Sequence, residues 1–192
     1  MNTLLILVGS VLINNYVLVQ FLGMCPFFGV SKKTETALGM GISVTFVLTL
    51  SSILTFSFYK LVLVPLGVEF LSTLVFILII ASIVQFIEVF MKKTFTVLYG
   101  LLGIYLPLIS VNCAILGSSL INVRKGYDFL GMLANSFGAG VGFTLAILLL
   151  AGIREKYEGN SDVPALFNGF PLALFSAGLM SIAFMGFSGL IK

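Results

Sequence analysis

The first charged side chain in this sequence is Lys32. Residues 1–31 carry none, and residues 94–123 form a second uncharged run of nearly the same length. A helix crosses the hydrocarbon of a bilayer in about 20 residues, so each run is longer than one span requires. Shorter uncharged runs at 36–59, 70–87 and 129–153, and a final apolar stretch reaching Ile191, complete the pattern. Only 9% of the residues are charged and 59% are hydrophobic, against roughly 25% charged in soluble domains. The chain therefore reads as an integral membrane protein. Barrel strands alternate in polarity over about 10 residues, whereas these runs are continuous. Helices are the other structure that satisfies its own backbone in lipid. The expected fold is all-α, with six spans in a single transmembrane domain over residues 1–192.

The charges that remain set an orientation. The net charge of +3 is spread in small groups at span ends, a topology signal and not a nucleic-acid surface. Lys32, Lys33, Lys92, Lys93, Arg154 and Lys156 fall in one set of connections, and Lys60, Arg124, Lys125 and Lys192 in the other. The basic excess marks the cytoplasmic side, which places both termini outside. The opening run has no basic leader and outlasts the apolar core of a signal peptide, so it reads as a span.

An internal repeat organises the spans. Gly39-Met-Gly41-Ile-Ser-Val-Thr45 matches Gly138-Ala-Gly140-Val-Gly-Phe-Thr144 at an offset of 99, and a Cys-x-x-x-Gly element recurs from Cys25 to Cys113 at an offset of 88. Each half, 1–93 and 94–192, then holds three spans in the same order. Three is odd, so the second half enters the membrane upside down, as an inverted repeat about an axis in the membrane plane. Gly-rich helices also resemble one another by chance, because small residues favour helix contacts in lipid.

Cys25 and Cys113 are the only cysteines, and the chain has no histidine. They lie in 21–29 (FLGMCPFFG) and 109–117 (ISVNCAILG), inside the two long runs. Gly23, Pro26, Gly29, Pro107 and Gly117 weaken helix near the thiols, so the first and fourth spans read as broken. A straight helix from Thr3 would carry Cys25 about 33 Å along its axis, near the far face, with Cys113 driven the opposite way. Breaks bring both thiols to the midplane, where a ligand can be shared. Two thiolates are too few for a metal centre that takes four ligands, so a second similar chain must supply the rest. Inert buried cysteines and a disulfide are the alternatives. Asn14, Asn15, Gln20, Gln85, Asn112 and Asn135 are the other polar residues in the spans, expected to hydrogen-bond between helices. Glu88 lies four residues from Lys92, an interfacial pair. No phosphate loop, dinucleotide fingerprint or nucleophile triad appears.

The stretches 14–33 (NNYVLVQFLGMCPFFGVSKK), 106–117 (LPLISVNCAILG) and 184–190 (FMGFSGL) resemble the A-type subunits of Rnf complexes, and the resemblance extends over the whole chain. The E-type subunit of the sodium-pumping NADH:quinone reductase is the near alternative, and Cys25-Pro-Phe favours Rnf. The resemblance implies a membrane subunit of an ion-translocating ferredoxin:NAD+ oxidoreductase in the cytoplasmic membrane of a prokaryote, moving Na+ or H+. It implies pairing with a homologous Rnf E subunit of opposite orientation, alongside the other Rnf subunits. Cys25 and Cys113 would be half the ligands of a shared [2Fe-2S] cluster, with FMN or riboflavin and NAD on other subunits. Readings from other classes are a self-contained secondary transporter and a purely structural assembly subunit.

Overall fold

The computed structural model describes residues 3–67, 69–94, 106–158 and 169–187. The opening of the fourth run and most of the last connection lie outside them. Every element among the described residues is helical. Helix α1 (Thr3–Val8) widens into a π-turn at Gly9–Ile13, and α2 (Met24–Val30) follows after an irregular loop. Helix α3 (Thr34–Phe58) continues through Tyr59–Leu63 and Val64–Leu66. It stops where Gly67 takes φ 67°, a left-handed cap that glycine adopts without steric cost. Then come α4 (Ser72–Thr94), α5 (Leu106–Ser110), α6 (Cys113–Arg124), α7 (Phe129–Glu158) and α8 (Phe170–Phe187).

Four runs are long and apolar enough to cross a bilayer: Thr34–Leu66, Ser72–Phe90, Pro107–Arg124 and Phe129–Tyr157. Phe170–Gly186 is a shorter fifth. The protein is a multi-pass, all-helical membrane protein. The long run at the amino terminus forms short helices on either side of residues 14–23, none of them a full span. The run before Arg124 is interrupted between Ser110 and Cys113.

The expected breakers act differently from their sequence reading. Only Gly23 sits at a break. Pro26 and Pro107 lie in the first turns of α2 and α5, where a missing N–H costs no hydrogen bond. Gly29 and Gly117 are helical: a Cβ on Gly29 would meet Leu108 Cδ1 at an ordinary 3.8 Å, whereas one on Gly117 would stand 2.6 Å from Leu22 Cδ1, so only Gly117 admits a close neighbour.

Helices α3 and α7 form the centre of the bundle. Apolar burial does not drive helices together in lipid, so close backbone approach must do so. A Cβ on Gly41 would stand 2.6 Å from Thr144 Cγ2, and one on Gly140 would stand 2.7 Å from Thr45 Cγ2. As α3 ascends from 41 to 45, its partner descends from 144 to 140, so the two run antiparallel where they touch. Thr45 and Thr144 meet at 3.3 Å between hydroxyls, and each also donates back to its own helix, to the carbonyls of Gly41 and Gly140. Gly138 and Gly142 then admit α1 and the π-turn, through Ser10, Leu7 and Val11. In the apolar window of α7, 56% of residues are buried against protein, and in that of α4 only 17%. Helix α7 is the hub and α4 is peripheral.

Other contacts between the halves also come in matched pairs. Thr55 on α3 donates to Ser119 on α6 at 3.3 Å. Arg154 on α7, at the matching position 99 residues on, donates to Ser31, which lies 88 residues before Ser119, at 2.9 Å. Arg154 also binds the carbonyl of Phe28 at 3.0 Å. Next to it, Glu155 accepts the backbone N–H of Thr34 at 2.8 Å. One turn of α7 thus caps the end of α2 with a cation and the start of α3 with an anion, the pairing that helix dipoles favour.

Candidate functional site

The first break is built around Asn15. Its Oδ1 accepts the N–H groups of Val17 and Leu18 at 3.0 and 3.3 Å, and its Nδ2 donates to the carbonyl of Gly142 at 2.9 Å. The side chain thereby replaces helix hydrogen bonds that the loop has given up, as buried backbone requires. Ser181 from α8 binds the carbonyl of Leu18 at 2.6 Å. The loop then turns through two left-handed residues, Phe21 (φ 56°) and Gly23 (φ 83°). Such a conformation is ordinary for glycine and uncommon for phenylalanine.

The second break is shorter. Asn112 caps α6, its Oδ1 accepting the N–H of Ala114 at 3.0 Å. Losing such a cap costs about 1 kcal/mol. Asn112→Ala is expected to lower the stability of the extracted complex by that amount, read by denaturant titration. The Nδ2 of this buried residue has no acceptor among the described residues.

The two breaks meet. The backbone N–H of Gly23 points at Cys113 Sγ, 2.9 Å away, and the position of a Cβ on Gly23 lies 3.2 Å from each of Ala114, Asn112 and Phe143. Cys113 is the first residue of α6, and Cys25 stands two residues after Gly23 in the first turn of α2. Both thiols are free and exposed on this chain. Their runs are apolar, but each thiol sits where a helix starts and not along a packed face. Among the described residues no three Cys, Asp or Glu side chains cluster. The patch presents two soft sulfur donors, an N–H directed at one of them, and the unpaired Asn112 amide beside it. This set fits half of a thiolate-held iron–sulfur centre, whose sulfurs are tuned by such hydrogen bonds.

A family profile described as "Rnf-Nqr subunit, membrane protein" matches residues 3–191. The chain belongs to the Rnf-Nqr family. It is 57% identical over 189 residues to a protein of Edwardsiella ictaluri named as the A-type subunit of an ion-translocating oxidoreductase complex, covering 98% of this chain and 97% of that protein. Proteins of the same name from Vibrio cholerae serotype O1 and Escherichia coli O139:H28 are 54% and 56% identical, each with 98% of this chain and 97% of the relative covered.

The remaining polar residues of this Rnf-Nqr chain divide by role. Asn135 donates to Tyr16 Oη at 2.9 Å and to Asn122 at 2.7 Å, while Asn122 donates to Ser136 at 3.0 Å. This is the interhelical bonding expected of an amide in a span. Asn14 and Gln20 instead border a cleft of about 210 Å³ that Tyr16, Lys125, Tyr127 and Asn135 also line. Gln85 lies on the exposed side of α4. Sequence reasoning missed Gly23 as a donor to Cys113, and it missed Arg154. The repeat offset carried a signal for Arg154, since it aligns a charge with the neutral Thr55.

Proposed function

We propose that this chain is the A-type membrane subunit of an ion-translocating ferredoxin:NAD+ oxidoreductase, resident in the cytoplasmic membrane with both termini outside. Cys25 and Cys113 supply half the ligands of a [2Fe-2S] cluster, and a homologous E-type subunit supplies the other half. FMN or riboflavin and NAD belong to other subunits. The observation that carries the reading is the meeting of two helix breaks, each bearing an exposed thiol, in a chain whose relatives are named as subunits of an oxidoreductase complex.

Bound there, the cluster supplies one-electron transfer inside the membrane. The protein's own contribution is positional. Asn15 and Asn112 hold the two breaks open, and the N–H of Gly23 stabilises negative charge on Cys113 Sγ. The exposed sulfurs and the free Asn112 donor are left for a partner's surface. The matched contacts Gly41–Thr144 with Thr45–Gly140, and Thr55–Ser119 with Arg154–Ser31, support six crossings arranged as two inverted halves, 1–93 and 94–192. Such halves offer two-sided access to a central site, as ion translocation needs.

The test is iron analysis and electron paramagnetic resonance on the intact complex. Cys25→Ser and Cys113→Ser are each expected to abolish one iron signal. A signal that survives both substitutions would sink the assignment.

A further inference from the structure

We propose that Arg154 is the positioning residue of the Cys25 half-site, fixing α2 from its far end and placing a positive charge at that end of the helix. The inference rests on reading Cys25 as a ligand. The two cysteine helices are held differently. Helix α6 has 12 residues and the Asn112 side-chain cap. Helix α2 has 7 residues, and Gly23 gives it no side-chain cap. Phe27 is buried and Phe28 packs on Phe170 at 5.5 Å between ring centroids, but apolar contact is non-directional. Gly23 N–H on Cys113 Sγ ties the start of α2, and Thr36 Oγ1 donates to the Val30 carbonyl at 3.3 Å. The charged restraint comes from Arg154, which is 9% exposed and donates to Phe28 O and Ser31 Oγ.

Cys25 and Phe28 are three residues apart, about 4.5 Å along the helix axis, so the carbonyl that Arg154 binds belongs to the next turn of the helix that carries the thiol. Both of its acceptors are neutral, and Glu155 is turned to Thr34 N–H. Lys32 and Lys33, at the same end, are exposed and act through solvent. The matching contact in the other half, Thr55 with Ser119, carries no charge. Among the described residues, the protein therefore places a buried cation at the far end of the Cys25 helix and a neutral threonine at the equivalent position beside the Cys113 helix. A fixed cation favours the reduced, more negative form of any redox group held there. It also favours the folded end of α2, because it lies at the negative end of that helix.

The experiment uses the intact complex with Arg154→Gln, Arg154→Lys and, as a control, Thr55→Val. One readout is the midpoint potential of the cysteine-dependent iron signal. The other is the maleimide labelling rate of Cys25 in membranes that also carry Cys113→Ser, which needs no cluster. Arg154→Gln is expected to lower the potential and, with rates compared at equal thiolate fraction from their pH profiles, to raise labelling severalfold. Arg154→Lys and Thr55→Val are expected to stay near the parent protein. The proposal is overturned if Arg154→Gln changes neither readout, if Lys and Gln fail alike, or if Thr55→Val matches Arg154→Gln. Should Arg154→Gln not assemble, Ser31→Ala removes one acceptor and keeps the charge. Faster labelling in that variant supports the restraint, and no change overturns it. If the parent complex has no cysteine-dependent iron signal, the ligand assignment fails by itself, and the labelling contrast still decides what Arg154 does.

Discussion

Gly41→Ala is expected to destabilise the bundle by about 1–3 kcal/mol, the usual cost of overpacking a closed contact. The added methyl meets Thr144 Cγ2 at 2.6 Å, Oγ1 at 2.8 Å and Cβ at 2.9 Å, and a β-branched side chain in a helix has little rotamer freedom with which to retreat. Alanine also improves helix propensity by about 0.8–1 kcal/mol over glycine, so the clash must exceed that gain for the sign to hold. Gly152→Ala is the internal control, because nothing lies within 4 Å of its added Cβ. That variant keeps the propensity gain without the clash and should be neutral or stabilising. Thr144→Ala removes two of the three obstructing atoms and should partly rescue Gly41→Ala, with a coupling of about 0.5–3 kcal/mol. The measurement is the denaturant midpoint of the detergent-extracted complex for both single variants and the double. Additivity without rescue would show that α3 and α7 do not meet at these atoms.

Gly23→Val is expected to dismantle the cysteine patch while leaving α3 and α7 packed. Two costs combine. A left-handed residue with a Cβ pays about 1–2 kcal/mol, more when it is β-branched. The new side chain also starts 3.2 Å from three neighbours on different sides, Ala114, the Asn112 cap and the ring of Phe143. Relief requires the loop to move, and movement withdraws the N–H from Cys113 Sγ. On the proposed ligand assignment, the cysteine-dependent iron signal is expected to be lost, as is expected for Cys113→Ser, while the assembled protein remains detectable by immunoblot. Gly23→Ala, with the same strain and less bulk, should retain part of the signal. A full signal in Gly23→Val would mean that this loop does not support the site.

These two glycines also show how unevenly the site is written in the sequence. The breaks in the two long runs followed from excess length, since roughly 30 uncharged residues exceed one span, together with the glycines and prolines near the thiols. The repeat pointed to a meeting of the two cysteine segments, and the N–H of Gly23 does lie on Cys113 Sγ. Asn15 and Asn112 lie on the cysteine segments, but their work as backbone substitutes became clear only from their partners. The glycines were the least legible. Gly23, Gly41 and Gly117 look alike in sequence, yet one supplies a left-handed turn, one a helix crossing and one a seat for Leu22. A glycine records that a side chain is missing and not which neighbour needs the space.

Cys25 and Cys113 mark the same boundary. The sequence by itself determined that this is a helical membrane protein, that its two long runs break near these thiols, and that two sulfurs without histidine are too few for a metal centre that takes four ligands. Those conclusions follow from hydropathy, span length and ligand number, which are properties of the chain read along its length. Tertiary structure decided how the two breaks meet, that both sulfurs are exposed, and that Arg154 anchors one of their helices across a separation of more than a hundred residues. Such contacts depend on how α3, α6 and α7 pack around one another. No local spacing encodes that packing, because the small residues that permit it leave the choice of partner to the rest of the fold.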